Sequence, residues 1–100
     1  MTWKQVPKSV WDSAEKILSQ RVGMPVRFTH HFKQRLFERF GGKLTMTVVK
    51  AITNAAREVC VKQLPEAEGI ASGNIGTVKV PVSYDEFNDA LVLKTVYHWK

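Results

Sequence analysis

The sequence predicts an α+β domain, with N-terminal helices packed on a C-terminal, mainly antiparallel sheet. Three observations carry this expectation. Apolar residues recur at helical spacing through about residue 57. Beyond Arg57 the period changes, and residues 77–84 alternate strictly. The helices precede the strands instead of interleaving with them, which is the order of segregated layers and not of a βαβ chain.

The first helix is expected over about residues 10–21, where Val10, Trp11, Ala14, Ile17 and Leu18 recur at helical spacing. Ser9 stands in the position of its N-cap, Gly23 in that of its C-cap, and Pro25 follows. Val26, Arg27 and Phe28 read as extended chain. Thr29 then caps a second helix that runs to Phe40 and stops at Gly41 and Gly42. Phe32, Leu36 and Phe40, spaced by four, form its apolar stripe. Thr45 or Thr47 caps a third helix, which buries Met46, Val49, Ile52, Ala55 and Ala56 and ends near Arg57.

The sheet expectation begins with a short strand at Val59, Cys60, Val61 and Lys62. Residues 64–76 hold Pro65, Gly69, Gly73 and Gly76, and read as a loop. In strand 77–84, Pro81 lacks a backbone donor, which predicts an edge position or a bulge. Residues 85–89 form a turn. Residues 90–98 are apolar on both faces through Leu93 and are expected at the sheet centre, with Tyr97, His98, Trp99 and Lys100 at the end. The expected core comprises Ile17, Leu18, Phe32, Leu36, Val49, Ile52, Val80, Leu91 and Leu93. Trp3 and Trp11 are expected to pack the first helix onto the sheet.

A chain of 100 residues with 44% apolar composition fits one folded domain, residues 1–100. It has one cysteine, Cys60, so an intramolecular disulfide is impossible, which suits a reducing compartment. No apolar run approaches the roughly 20 residues that span a bilayer, and residues 1–5 carry no apolar signal core. No membrane role and a cytoplasmic location are therefore expected. The formal charge of +6 attracts either phosphate backbones or acidic protein surfaces.

The candidate site lies on the second helix. His31, Arg35, Glu38 and Arg39 are spaced i, i+4, i+7 and i+8. At about 100° per residue they share roughly a quarter of the helix circumference, beside the apolar stripe. Two guanidiniums there can clamp phosphate oxygens, and a histidine beside them can move a proton near neutral pH. Glu38 can pair well with only one arginine. The same spacing also suits a solvated helix face tied by ordinary i,i+3 and i,i+4 pairs. Tyr97 and His98 at the last strand's end are further candidates, but they point to opposite faces, so only one can face the helix. Tyr97 shares parity with Leu91, Leu93 and Thr95.

Metal chemistry is not expected. His30 and His31 diverge by about 100° on a helix, and three histidines with one cysteine make a poor zinc set. Residues 69–76 lack the Gly-Lys-Ser/Thr ending of a phosphate-cradling loop. The carboxylates are scattered.

The segment Phe28-Thr29-His30-His31-Phe32-Lys33-Gln34-Arg35-Leu36-Phe37-Glu38-Arg39-Phe40-Gly41 resembles a pattern of small bacterial and phage domains related to the RelE/BrnT-type ribonuclease toxins. Residues 91–97 are similar to the last central strand of such domains. The resemblance covers about residues 26–58 and 77–98 and leaves the first helix outside it. It implies a helices-on-sheet fold and metal-independent RNA cleavage by basic and acid/base side chains, with no cofactor. Two expectations of function follow. One is a small RNA-interacting protein, an endoribonuclease of toxin type or an inactive descendant that binds RNA, with Arg35 and Arg39 holding phosphate and His31 or His98 transferring protons. An antitoxin or host protein is then a further partner. The other is a phage or prophage accessory protein that binds a host protein or nucleic acid without chemistry. Convergence of the helix residues with Tyr97 or His98 on a concave pocket favours the first, and a convex spread the second.

Overall fold

The computed structural model describes residues 2–99; Met1 and Lys100, the latter counted in the expected end of the last strand, lie outside them. A 3-10 turn (Trp3–Gln5) leads into α1 (Lys8–Val22), β1 (Val26–Phe28), α2 (His30–Phe40), α3 (Met46–Lys62), β2 (Glu66–Gly73), β3 (Gly76–Asp85), β4 (Ala90–Leu93) and β5 (Tyr97–Trp99). The architecture is α+β, as expected. The strand order is β1-β4-β3-β2, with β5 pairing β3 beyond the end of β4. Every pairing is antiparallel except β1 with β4, which is parallel. No helix among the described residues is long and apolar enough to cross a membrane.

Local signals set the helix ends. Thr29 accepts a hydrogen bond from the Phe32 N–H, and Thr45 from that of Val48, so each satisfies a donor that its helix leaves free. Gly23 and Gly41 close α1 and α2 in the left-handed conformation that a side chain disfavours. The expected cap of α1 is corrected: the helix begins at Lys8, Pro7 occupies the cap position without a side-chain bond, and Ser9 lies in the first turn. Proline needs no backbone donor there and its φ is already set.

The three helices cover one face of the sheet. Val78, Val80, Val82, Leu91 and Leu93 meet Trp11, Leu18, Phe32, Leu36 and Ile52 in one buried cluster. Eight of the nine expected core residues are buried; Ile17 is 52% exposed on the outer side of α1. Trp11 is buried and Trp3 half-buried.

Two boundaries differ from expectation for one reason. Residues 59–62 are the end of α3, not a strand, and residues 66–73 are β2, not a loop. Val59 continues the apolar face begun by Val49, Ile52 and Ala56, and tertiary packing overrides the β-branched propensity of Val59 and Val61. In β2 the inward residues are Ala67, Gly69 and Ala71, all small. A side chain at Gly69 would collide with the Ala51 carbonyl of α3. The glycine marks close approach of helix and strand, not a flexible connection.

Pro81 lies in a central strand, so the edge expectation is corrected, but the disruption it foretold is present in its partner. Val82 pairs with Leu93 and Lys79 with Tyr97, so Val80 and Pro81 face the three residues 94–96. That extra residue is a bulge. The Pro81 carbonyl accepts from the Lys94 N–H, so the side of Pro81 that lacks a donor faces the bulge. The bulge inverts the alternation of the last strand. Tyr97 is therefore out of phase with Leu91 and Leu93, and His98, opposite buried Val78, faces the helices.

Candidate nucleic-acid interface

α2 is anchored at both ends. Thr29 Oγ1 donates to the Leu93 carbonyl at 3.0 Å, which fixes its start beside the end of β4. Phe32 and Leu36 are fully buried beneath it. At its other end the Phe40 ring lies on the His98 ring of β5, with centroids 4.8 Å apart. This contact places Arg39 above the last strand.

The four helix residues divide. Arg35 Nη1 donates to Glu38 Oε1 at 2.7 Å. The other oxygen of Glu38 accepts from Gln34 Nε2 at 2.9 Å. These two bonds, Gln34 first and Arg35 second, hold the Glu38 carboxyl below its ordinary pKa. Arg39 makes no ion pair among the described residues. Both Glu38 oxygens are engaged by the preceding turn, and the second arginine is left over.

Arg39 lines a recess of about 530 Å³ together with Phe40, His98 and the β2–β3 turn from Gly73 to Gly76. His98 Nε2 lies 2.5 Å from the Ile75 carbonyl. A carbonyl only accepts, so Nε2 carries the proton and Nδ1 is the remaining nitrogen. Gly73 lets the hairpin lie close to α3, since a Cβ there would lie 2.6 Å from Thr47 Oγ1.

Arg39 and His98 thus come together in a concave site. His31 is exposed on the outer side of α2, and Arg35 is tied to Glu38; neither lines the recess. Tyr97 projects from the opposite face of the sheet, where its ring lies against that of Trp99. Sequence reasoning missed Asn74, Ile75, Phe40 and Trp99. Of the hairpin only the turn left a signal, in Gly73-Asn74-Ile75-Gly76, because the small residues of β2 read as loop. No sequence signal paired Phe40 with His98.

Charge is divided between the layers. Residues 1–57 hold 11 of the 15 basic and 3 of the 9 acidic side chains, a net +8, against −2 for residues 58–100. Among the described residues no cluster of three or more His, Cys, Asp or Glu is placed to hold a metal ion. A larger share of the acidic groups lies at the opposite end of β3. There a second recess, of about 520 Å³, is lined by Met24, Val59, Cys60, Tyr84, Glu86 and Asp89 among others.

No known protein family, curated protein or solved structure matches this chain. Its functional reading rests on the geometry above.

Proposed function

We propose that this is a small RNA-interacting protein that holds a backbone phosphate in the recess between Arg39 and the β2–β3 turn. One observation carries the reading. Arg39 makes no carboxylate pair among the described residues, and it stands on the wall of a concave site beside His98. A guanidinium presents a planar fork of donors that matches phosphate oxygens. The +8 charge of residues 1–57 supplies the wider attraction that draws a polyanion to this layer.

The supported activity is binding without cleavage. Attack by a ribose 2′-hydroxyl forms one P–O bond and breaks that to the 5′-oxygen. One group must take the 2′ proton while another gives a proton to the leaving oxygen. His98 offers only Nδ1, because Nε2 is spent on Ile75. The other lining residues, Arg39, Phe40, Gly73, Asn74, Ile75 and Gly76, include no second acid/base group for neutral pH. His31 and Tyr97 lie elsewhere. A ribonuclease of toxin type is the second reading, favoured by the adjacency of His98 and Arg39.

Incubation with total RNA, with and without EDTA, followed by end mapping separates the two. Binding predicts salt-sensitive retention of RNA and no new ends. New ends that persist in EDTA and vanish in His98→Ala would establish cleavage instead. Retention unaffected by salt or by Arg39→Ala would overturn the phosphate site.

A further inference from the structure

We infer that Tyr97 and Trp99 form a stacking platform for the bases of single-stranded RNA, on the face of β5 opposite the Arg39–His98 recess. The inference rests on the RNA reading above and adds the strandedness of the ligand and the place of its bases.

The bulge at 94–96 puts both rings on the sheet face away from the helices, since Tyr97 pairs with Lys79 and Trp99 with Thr77. Their centroids are 6.1 Å apart and their planes are within 29°. The two residues are 42% and 52% exposed, near the end of the chain. The two rings leave about half of their surface to solvent, and neither belongs to the buried core.

Their surroundings favour bases over an apolar protein surface. On the same face, Lys79 stands opposite Tyr97, and the Thr77 hydroxyl beside Trp99 bonds that of Ser72 at 3.0 Å. Lys79 is paired with Glu68, and Lys94 with Glu66, so this face carries no large charge of its own. Ile70, paired with Lys79, is the one other exposed apolar side chain on these rows. Rings set mostly among polar groups suit a ligand with flat faces and polar edges, which every nucleobase has.

The charge for the backbone comes from the other side of the same strand. His98, between the two aromatic residues, lines the recess with Arg39. β5 pairs only with β3 among the described residues, so its outer edge is not covered by another strand. A single strand crossing that edge sets a phosphate against Arg39 and lays the next bases over Tyr97 and Trp99. A duplex cannot do this, because its bases are already stacked and paired.

The test uses the full chain with a 12-nucleotide oligouridylate and a 12-base-pair RNA duplex, in low salt. We expect the oligouridylate to quench part of the tryptophan emission and to bind more tightly than the duplex. Trp99→Ala is expected to remove that quenching. Trp99→Ala and Tyr97→Ala should each weaken binding about 5-fold or more, while Trp99→Phe retains most of it. Unchanged affinity in both alanine variants overturns the platform and leaves the Arg39 site standing. Preference for the duplex, or a dimer abolished by Trp99→Ala, also overturns it. Failure of the native chain to bind either RNA overturns both proposals. Trp3 and Trp11 also emit, so the quenching is assigned to Trp99 by its loss in Trp99→Phe, which keeps a ring and most of the affinity.

Discussion

The molecule has two recesses of nearly equal size at opposite ends of the β2–β3 hairpin, about 530 and 520 Å³, and they are chemically opposed. One is lined by Arg39 and His98 at the turn of the hairpin. The other lies where α3 ends, lined by Met24, Val59, Leu64 and Pro65 with Glu86 and Asp89 at its rim. There Tyr84 donates to Asp89 at 2.6 Å, which raises the phenol's pKa above its ordinary value. α3 walls only the second recess; the first is walled by α2, β5 and the hairpin turn. Volume therefore does not select the ligand; the charges on the wall do. On the reading proposed above, the first recess draws a phosphate and the second, where α3 also presents the negative end of its dipole, repels one.

The largest expected effect concerns the packing of α3 on β2. Gly69→Ala places a methyl group against the Ala51 carbonyl, and backbone cannot move aside as a flexible side chain can. We expect a loss of about 3 kcal/mol or more in urea unfolding, with the recess at the end of α3 distorted. A variant as stable as the native chain would show that α3 and β2 are not held as closely as described.

Next comes the contrast between ends. Arg39→Ala should weaken RNA binding by about 10-fold or more, the loss expected when a charge-assisted hydrogen bond goes. Glu86→Gln with Asp89→Asn should leave binding unchanged or slightly tighter. Equal losses at both ends, measured by fluorescence anisotropy, would break the comparison.

Salt sharpens it further. The logarithm of the affinity should fall linearly with the logarithm of salt concentration, and Arg39→Ala should reduce that slope by about one phosphate contact. An identical slope in the variant would mean Arg39 touches no phosphate.

The smallest effect concerns the two arginines of α2. Glu38 has a lowered folded-state pKa, so its contribution to stability is present above the unfolded carboxyl value, about 4.3, and is lost as pH falls through the folded value. Glu38→Gln should lack this component, so melting temperatures of variant and native chain should converge on acidification from pH 6 to pH 3. The same change frees Arg35 and should tighten RNA binding slightly. A difference in melting temperature that grows on acidification would reverse the sign and remove Glu38 as the partner that sets Arg35 apart from Arg39.

The helical half was legible because its signals are local. Thr29 and Gly41 bound α2 through bonds within a few residues, and the spacing of Phe32 and Leu36 names the buried face. The sharing of Glu38 was legible too, since one carboxylate three residues from Arg35 cannot serve Arg39 equally well. β2 was not, because its inward residues are small for a reason that lies in α3. Ala67, Gly69 and Ala71 look like a loop until Ala51 and Ala55 are set against them.

By itself the sequence determined the α+β class, the start and end of α2, the burial of Leu18, Phe32, Leu36, Ile52, Leu91 and Leu93, and the basic bias of residues 1–57. Each depends on spacing, capping or charge, which are properties of neighbours along the chain. Only the tertiary structure decided which candidate residues meet. One extra residue between Leu93 and Tyr97, opposite a proline that cannot donate, reverses the alternation of β5. That reversal turns His98 toward Arg39 and Tyr97 away from it. Strand parity is set by hydrogen bonds to a partner 11 to 22 residues away, between Thr77–Val82 and Leu93–Trp99, and no local pattern in residues 90–98 records it.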